Sequence, residues 1–136
     1  MIFDKMSLKS RTAFVTGAAH GIGKACAIAL AEAGADVAVA DLKDTVSATA
    51  EQIREIGGRA ISMTADITDE KQIWECMDRV VTEWGKLDIC FCNAGTFQDI
   101  PAEEMPLEEF ERVIRVNLTG AFITARAAGK IMIEKG

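Results

Sequence analysis

Thr16-Gly17-Ala18-Ala19-His20-Gly21-Ile22-Gly23 is the stretch that decides how this chain reads. It follows a β-prone apolar run, Thr12 to Thr16. It opens an alanine-rich segment in which Ile22, Ala25, Cys26, Ala29, Leu30 and Ala33 recur at helical spacing until Gly34. A strand, a glycine turn and a helix start, in that order, present backbone N–H groups to a pyrophosphate. The glycines permit the tight turn, the approach of backbone to phosphate and the close packing of helix on strand. The spacing is Gly17, Gly21, Gly23 and not G-x-G-x-x-G, and glycine turns without ligands are common. Context therefore carries the reading. His20, the single histidine, sits at the loop tip and reads as an exposed polar residue without a catalytic role.

Outward from the loop, strand and helix patterns alternate. Val37 to Ala40 is a short apolar strand ending in Asp41, and a helix from about Thr45 to Ile56 stops at Gly57-Gly58. Ala60 to Thr64 reads as a third strand. Thr68 is the expected N-cap of the next helix, with Asp69 and Glu70 in its positive first turn. Ile73, Met77, Val80, Val81 and Trp84 form that helix's apolar stripe, and Gly85 ends it. Leu87 to Cys92 is the fourth strand, followed directly by Asn93-Ala94-Gly95. A loop with Pro101 and Pro106 leads to one long helix, about Leu107 to Glu134. Apolar strands alternating with helices predict an α/β fold: a Rossmann-like, doubly wound parallel sheet. Right-handed crossovers give the strand order 3-2-1-4.

Composition narrows the function. The 136 residues, 49% apolar and 26% charged, fit a single globular domain spanning 1–136. A net charge of −6 argues against nucleic acid or an anionic membrane surface as partner. No run approaches the roughly 18 apolar residues of a membrane helix. Met1 to Arg11 carries Asp4, Lys5, Lys9 and Arg11 without an apolar centre, so a secretory signal is not expected and a cytoplasmic location is. The cysteines, Cys26, Cys76, Cys90 and Cys92, contain no C-x-x-C pair and read as buried free thiols, not zinc ligands or disulfides, so no metal site is expected. Strand alternation points Cys90 and Cys92 to one face.

Asp41 ends the second strand about 24 positions after Gly17, where a carboxylate accepts hydrogen bonds from ribose hydroxyls and repels a 2′-phosphate. The alternative is a cap for the next helix. Asn117 stands in the stripe Phe110, Val113, Ile114, Leu118, Ala121, Phe122, Ala125. If that stripe faces a core, its amide must be hydrogen-bonded or cost about 1–3 kcal/mol. A structural tie to a neighbouring strand is the plain reading.

The chain resembles the short-chain dehydrogenase/reductase family over almost its whole length. The T-G-x-x-x-G-x-G motif is Thr16, Gly17, Gly21, Gly23; the acid-plus-apolar pair is Asp66-Ile67; the N-A-G motif is Asn93-Ala94-Gly95; and V-N-L is Val116-Asn117-Leu118. The resemblance implies a dinucleotide site made of Gly17, His20, Gly21, Ile22, Gly23, Asp41, Leu42, Asp66, Ile67, Asn93, Ala94 and Gly95. NAD is favoured over NADP because of Asp41. Asp66 and the Ile67 backbone are then expected at the adenine, though Asp66 also suits a cap and N-A-G a turn. Asn117 is implied as the amide that holds a proton-relay water.

The family's chemistry uses a Ser, a Tyr and a Lys, the last two four apart on a helix after a fifth strand. This sequence has no tyrosine and reads to Gly136 without a fifth strand. The expectation is the N-terminal, cofactor-binding portion of an NAD(H)-dependent oxidoreductase interconverting an alcohol, such as a polyol or sugar, and a carbonyl. The isolated chain is expected to be inactive. The alternative is a non-catalytic dinucleotide-binding module. Homodimers or homotetramers through the final helix are usual in the family.

Overall fold

The computed structural model describes residues 5–135, so positions 1–4 of the N-terminal reading lie outside it. Four strands form one parallel sheet: β1 (Thr12–Thr16), β2 (Asp36–Asp41), β3 (Ala60–Thr64) and β4 (Ile89–Phe91), in the order β3-β2-β1-β4. Thr12 to Thr16 pair with Asp36 to Ala40, and Ala13 to Val15 with Ile89 to Phe91. The helices are α1 (Gly21–Glu32), α2 (Val46–Glu55), α3 (Glu70–Trp84), α4 (Leu107–Ile114) and α5 (Ala121–Lys135).

Alternation along each strand builds two cores. Ala13, Val15, Val37 and Val39 meet Ala27, Ala31, Ala50 and Ile53 of α1 and α2. Phe14, Ala38, Ala40 and Met63 meet Ile73, Met77 and Val80 of α3, with Ile123, Ala127 and Ile131 of α5 on the same side. Strands buried on both faces are what a sheet covered by helices on both sides requires. Because β2 and β4 flank β1 on opposite sides, the chain reverses its direction of travel between β1 and β4. Parallel sheets hold ligands in the crevice at such a reversal, beyond the carboxyl ends of the strands.

Three expectations need correction. Asp69, not Thr68, caps α3: its Oδ1 accepts from the N–H groups of Lys71 and Gln72 at 3.0 and 3.3 Å. Hydrogen bonds from Gln72 hold the Asp69 carboxyl below its ordinary range, as suits an anion at a helix N-terminus. The long final helix is interrupted by a π-helical stretch, Arg115–Gly120, between α4 and α5. The stripe through Asn117 does not face a core. Phe110, Ile114, Leu118 and Phe122 are all exposed, while Ile123, Thr124, Ala127, Ala128 and Ile131 are the residues α5 buries.

At the opposite, amino edge of the sheet, Asp88 ties the short edge strand to β1. Its Oδ2 accepts from Thr12 N–H at 2.8 Å, and Arg11 and Lys86 pair with it at 2.9 and 3.0 Å. Partial burial works to raise this carboxyl, but these hydrogen bonds outweigh it and hold the group below its ordinary range.

Candidate functional site

The loop after β1 is held from three directions. Asp41 closes it from β2: Oδ2 accepts from Ala19 N–H and Oδ1 from Lys43 N–H, both at 3.0 Å. Thr49 of α2 donates its hydroxyl to Ala18 O at 2.8 Å in a buried position. From β4, the Asn93 amide nitrogen donates to the carbonyls of Thr16 and Gly17 at 3.1 and 3.2 Å. Beneath all of these is Thr16, whose Oγ1 accepts from the N–H groups of Asn93 and Ala94, both at 3.1 Å. Sequence reasoning missed this role, because a threonine ending a strand reads as β-propensity alone.

Glycine is required at two of these positions by contact. A Cβ on Gly23 would lie 2.2 Å from Gly17 O, and one on Gly17 would lie 2.8 Å from Ala94 Cα. Gly17 and Gly21 also have positive φ, 66° and 58°, and nothing stands within 4 Å of a Cβ on Gly21. The backbone is therefore packed tightly below and open above. His20 stands in extended conformation as the N-cap of α1 without a side-chain cap bond. The first turn of α1 keeps its partial positive charge available to an anion.

These features meet at one cleft of about 840 Å³ over the carboxyl edge of the sheet. It is lined by Gly17, His20, Gly21 and Ile22 of the loop, by Asp41 and Leu42 after β2, by Asp66 and Ile67 after β3, and by Asn93, Ala94 and Gly95 after β4. Eleven of the twelve expected cofactor residues thus converge there; Gly23 lies buried just below, against Gly17 and Asn93. Ile22 and Leu42 are 72% and 70% exposed, so two large apolar side chains stand unburied at the rim. The volume and mixed lining suit a small-molecule or cofactor site. Sequence reasoning had not included Arg112, Arg115 and Thr96, which also line it.

The individual roles differ in detail from the expectations. Asp66 is half-buried, and its Oδ1 accepts from both the N–H and the hydroxyl of Thr68 at 2.8 Å, which makes a turn ahead of α3; the cap of that helix is Asp69, not Asp66. The Ile67 side chain is core, 8% exposed, packed against Gly120. Only its backbone is available to the cleft floor. Asn117 is exposed in the π-helical stretch and pairs with the backbone of Thr96. Its Oδ1 accepts from Thr96 N–H at 2.8 Å and its Nδ2 donates to Thr96 O at 2.7 Å. The amide is a structural tie, as expected, but to the loop after β4 and not to a strand.

The cradle fits a dinucleotide by its own shape, since the two Cβ-intolerant glycines bring backbone to the surface beside an uncapped helix start. A family model described as short chain dehydrogenase matches residues 11–136. The chain is 40% identical to a cyclohexanol dehydrogenase of Rhodococcus sp. (strain TK6), covering 97% of this chain and 55% of that protein. It is 36% identical to a sorbitol dehydrogenase of Cereibacter sphaeroides, covering 96% and 50%. Among solved structures, a short-chain type dehydrogenase/reductase from Mycobacterium marinum superposes with a TM-score of 0.95 at 41% identity, covering 98% of this chain and 55% of that one. The chain spans about half the length of the curated relatives it matches. The parallel sheet in the order β3-β2-β1-β4 agrees with these matches, and the chain belongs to the short-chain dehydrogenase family.

Proposed function

We propose that these residues are the cofactor-binding portion of an NAD(H)-dependent oxidoreductase that interconverts an alcohol and a carbonyl. The observation that carries this is the placement of Asp41 and the glycine cradle on one cleft. The bound nicotinamide supplies the hydride or accepts it. Gly17, Gly21 and Ile22 hold the pyrophosphate while Gly23 packs α1 against the loop beneath it, Asp66 and the Ile67 backbone face the adenine, and Asn93, Ala94 and Gly95 form the floor beneath the nicotinamide half. Similarity to a cyclohexanol dehydrogenase and a sorbitol dehydrogenase supports a cyclic secondary alcohol or a polyol as substrate class. With no tyrosine in it, the chain by itself is proposed to bind dinucleotide without turning it over. That makes the non-catalytic module the reading for these residues in isolation.

Asp41 sets the preference for NAD. A carboxylate already anchored to Ala19 and Lys43 is fixed in place, and its charge repels a 2′-phosphate. Titration followed by nicotinamide fluorescence is expected to give at least tenfold tighter binding of NADH than NADPH. Asp41→Asn, which keeps the side chain's shape and removes its charge, is expected to narrow that gap. Equal affinities in the unaltered chain overturn the assignment.

The exposed face of Phe110, Ile114, Leu118 and Phe122 is proposed to seat against the same face of a second copy, giving a homodimer or a dimer of dimers. Sedimentation equilibrium tests this, with a dimer or tetramer as the expected species. A monomer at high concentration counts against it.

A further inference from the structure

Cys90 and Cys92 flank Phe91 at the carboxyl end of β4, and their sulfurs lie 3.7 Å apart. Asn93 N–H donates to Phe91 O at 3.0 Å, a three-residue turn centred on Cys92. The ladder has ended by this point, so Cys92 sits in a turn just beyond the strand. Both thiols are half-buried, with Cys90 packed against the core on the α3 side.

We propose that Cys92 is a nucleophilic thiol that reacts with small disulfides, and that Cys90 is the resolving thiol that closes a Cys90–Cys92 disulfide. A disulfide is about 2.05 Å long, so the 3.7 Å between the two sulfurs has only about 1.7 Å to close. The sulfurs already face one another, so closure needs a small movement of a turn residue and no rearrangement of the sheet. The two thiols are within hydrogen-bond reach of each other at that distance. That hydrogen bond lowers the Cys92 thiol to about 7 against the effect of its burial, and the same bond, with burial, pushes Cys90 upward. Placement separates the two thiols as well, since Cys90 packs against the core while Cys92 stands in the turn beyond the strand. The remaining cysteines lack these features. Cys76 is buried and pushed up to about 11, and Cys26 stands alone on α1.

The steps balance. The Cys92 thiolate attacks one sulfur of a small disulfide, forming a mixed disulfide and expelling one thiolate. Cys90 then loses its proton to water, and its sulfur attacks the Cys92 sulfur. The second small thiolate leaves and takes up a proton. One external disulfide is reduced to two thiols while two protein thiols are oxidised to one disulfide. Nothing in this depends on the dinucleotide assignment, and it is read by mass alone.

The test treats the chain, carrying Cys26→Ser, with oxidised glutathione and follows intact mass. The expected product is two hydrogens lighter with no lasting adduct, and peptide mapping locates the bond between Cys90 and Cys92 without any further variant. Adding Cys90→Ser is expected to trap one glutathione on Cys92, and adding Cys92→Ser to slow the reaction at least tenfold. The initial rate is expected to rise with pH through about 7 and then level, because it follows the thiolate fraction. A lasting adduct on the protein with Cys90 intact overturns the proposal, as does undiminished reaction of the Cys92→Ser protein.

Discussion

Gly23→Ala is expected to destabilise the chain by at least about 3 kcal/mol and to abolish dinucleotide binding. Overpacking a core usually costs about 1–3 kcal/mol because side chains give way. Here the added methyl meets Gly17 O at 2.2 Å and the Asn93 amide nitrogen at 2.5 Å. The first is backbone, and the second is fixed by its bonds to the Thr16 and Gly17 carbonyls. Relief therefore means moving α1 away from the loop, which breaks the cradle. Gly120 makes the contrast: a Cβ there meets side-chain atoms of Ile67, Cδ1 at 2.6 Å and Cγ1 at 2.7 Å, and its nearest backbone neighbour stands at 3.5 Å. Gly129 provides a control, since none of the described residues outside its own helix backbone comes within 4 Å of its added methyl. Gly129→Ala, inside α5, is expected to stabilise by up to about 1 kcal/mol. Urea denaturation checks both. A Gly23→Ala protein with near-parental stability removes the close-packing account of the third glycine.

The layered fold was legible because each element is locally consistent. β1 and β3 lie where the apolar runs place them, and the order 3-2-1-4 follows from short right-handed crossovers. The residues that line the cleft were legible because the loops after all four strands converge at the same carboxyl edge. Two things were not. The apolar stripe from Phe110 to Phe122 fixes which side of the helix is apolar, but periodicity is silent on what covers that side. The buried side of α5 is made instead of small and mixed residues such as Thr124, Ala127 and Ala128, a weaker pattern. The π-helical stretch Arg115–Gly120 was also hidden, since a single wide turn leaves no distinct mark in the apolar periodicity of a helix. Such stretches recur at functional sites. This one carries Asn117 against Thr96 on the cleft wall, and places Arg115 within 3.4 Å of Thr68 O beside Asp66.

Thr16→Val should be the most damaging isosteric change in the strand, costing about 2–4 kcal/mol. Thr16 is 1% exposed, and its hydroxyl oxygen is the hydrogen-bond acceptor for two consecutive N–H groups, those of Asn93 and Ala94. Valine fills the same space and accepts neither, and each donor left unpaired in a part-buried site costs about 1–3 kcal/mol. The hydroxyl's own donation, to Phe91 O at 3.5 Å, is long and contributes little. Losing the acceptor frees the Asn93-Ala94 turn, and with it the Asn93 amide that holds the Thr16 and Gly17 carbonyls. The effect should therefore appear twice: in stability, and in a dinucleotide affinity lowered at least tenfold under conditions where the variant is still folded. Thr16→Ser keeps the acceptor and loses one methyl, so it is expected to stay within about 1 kcal/mol of the parent with binding intact. A valine variant as stable as the serine one would mean that these two N–H groups find other partners, and that the glycine cradle is held in place from β2 and α2 alone.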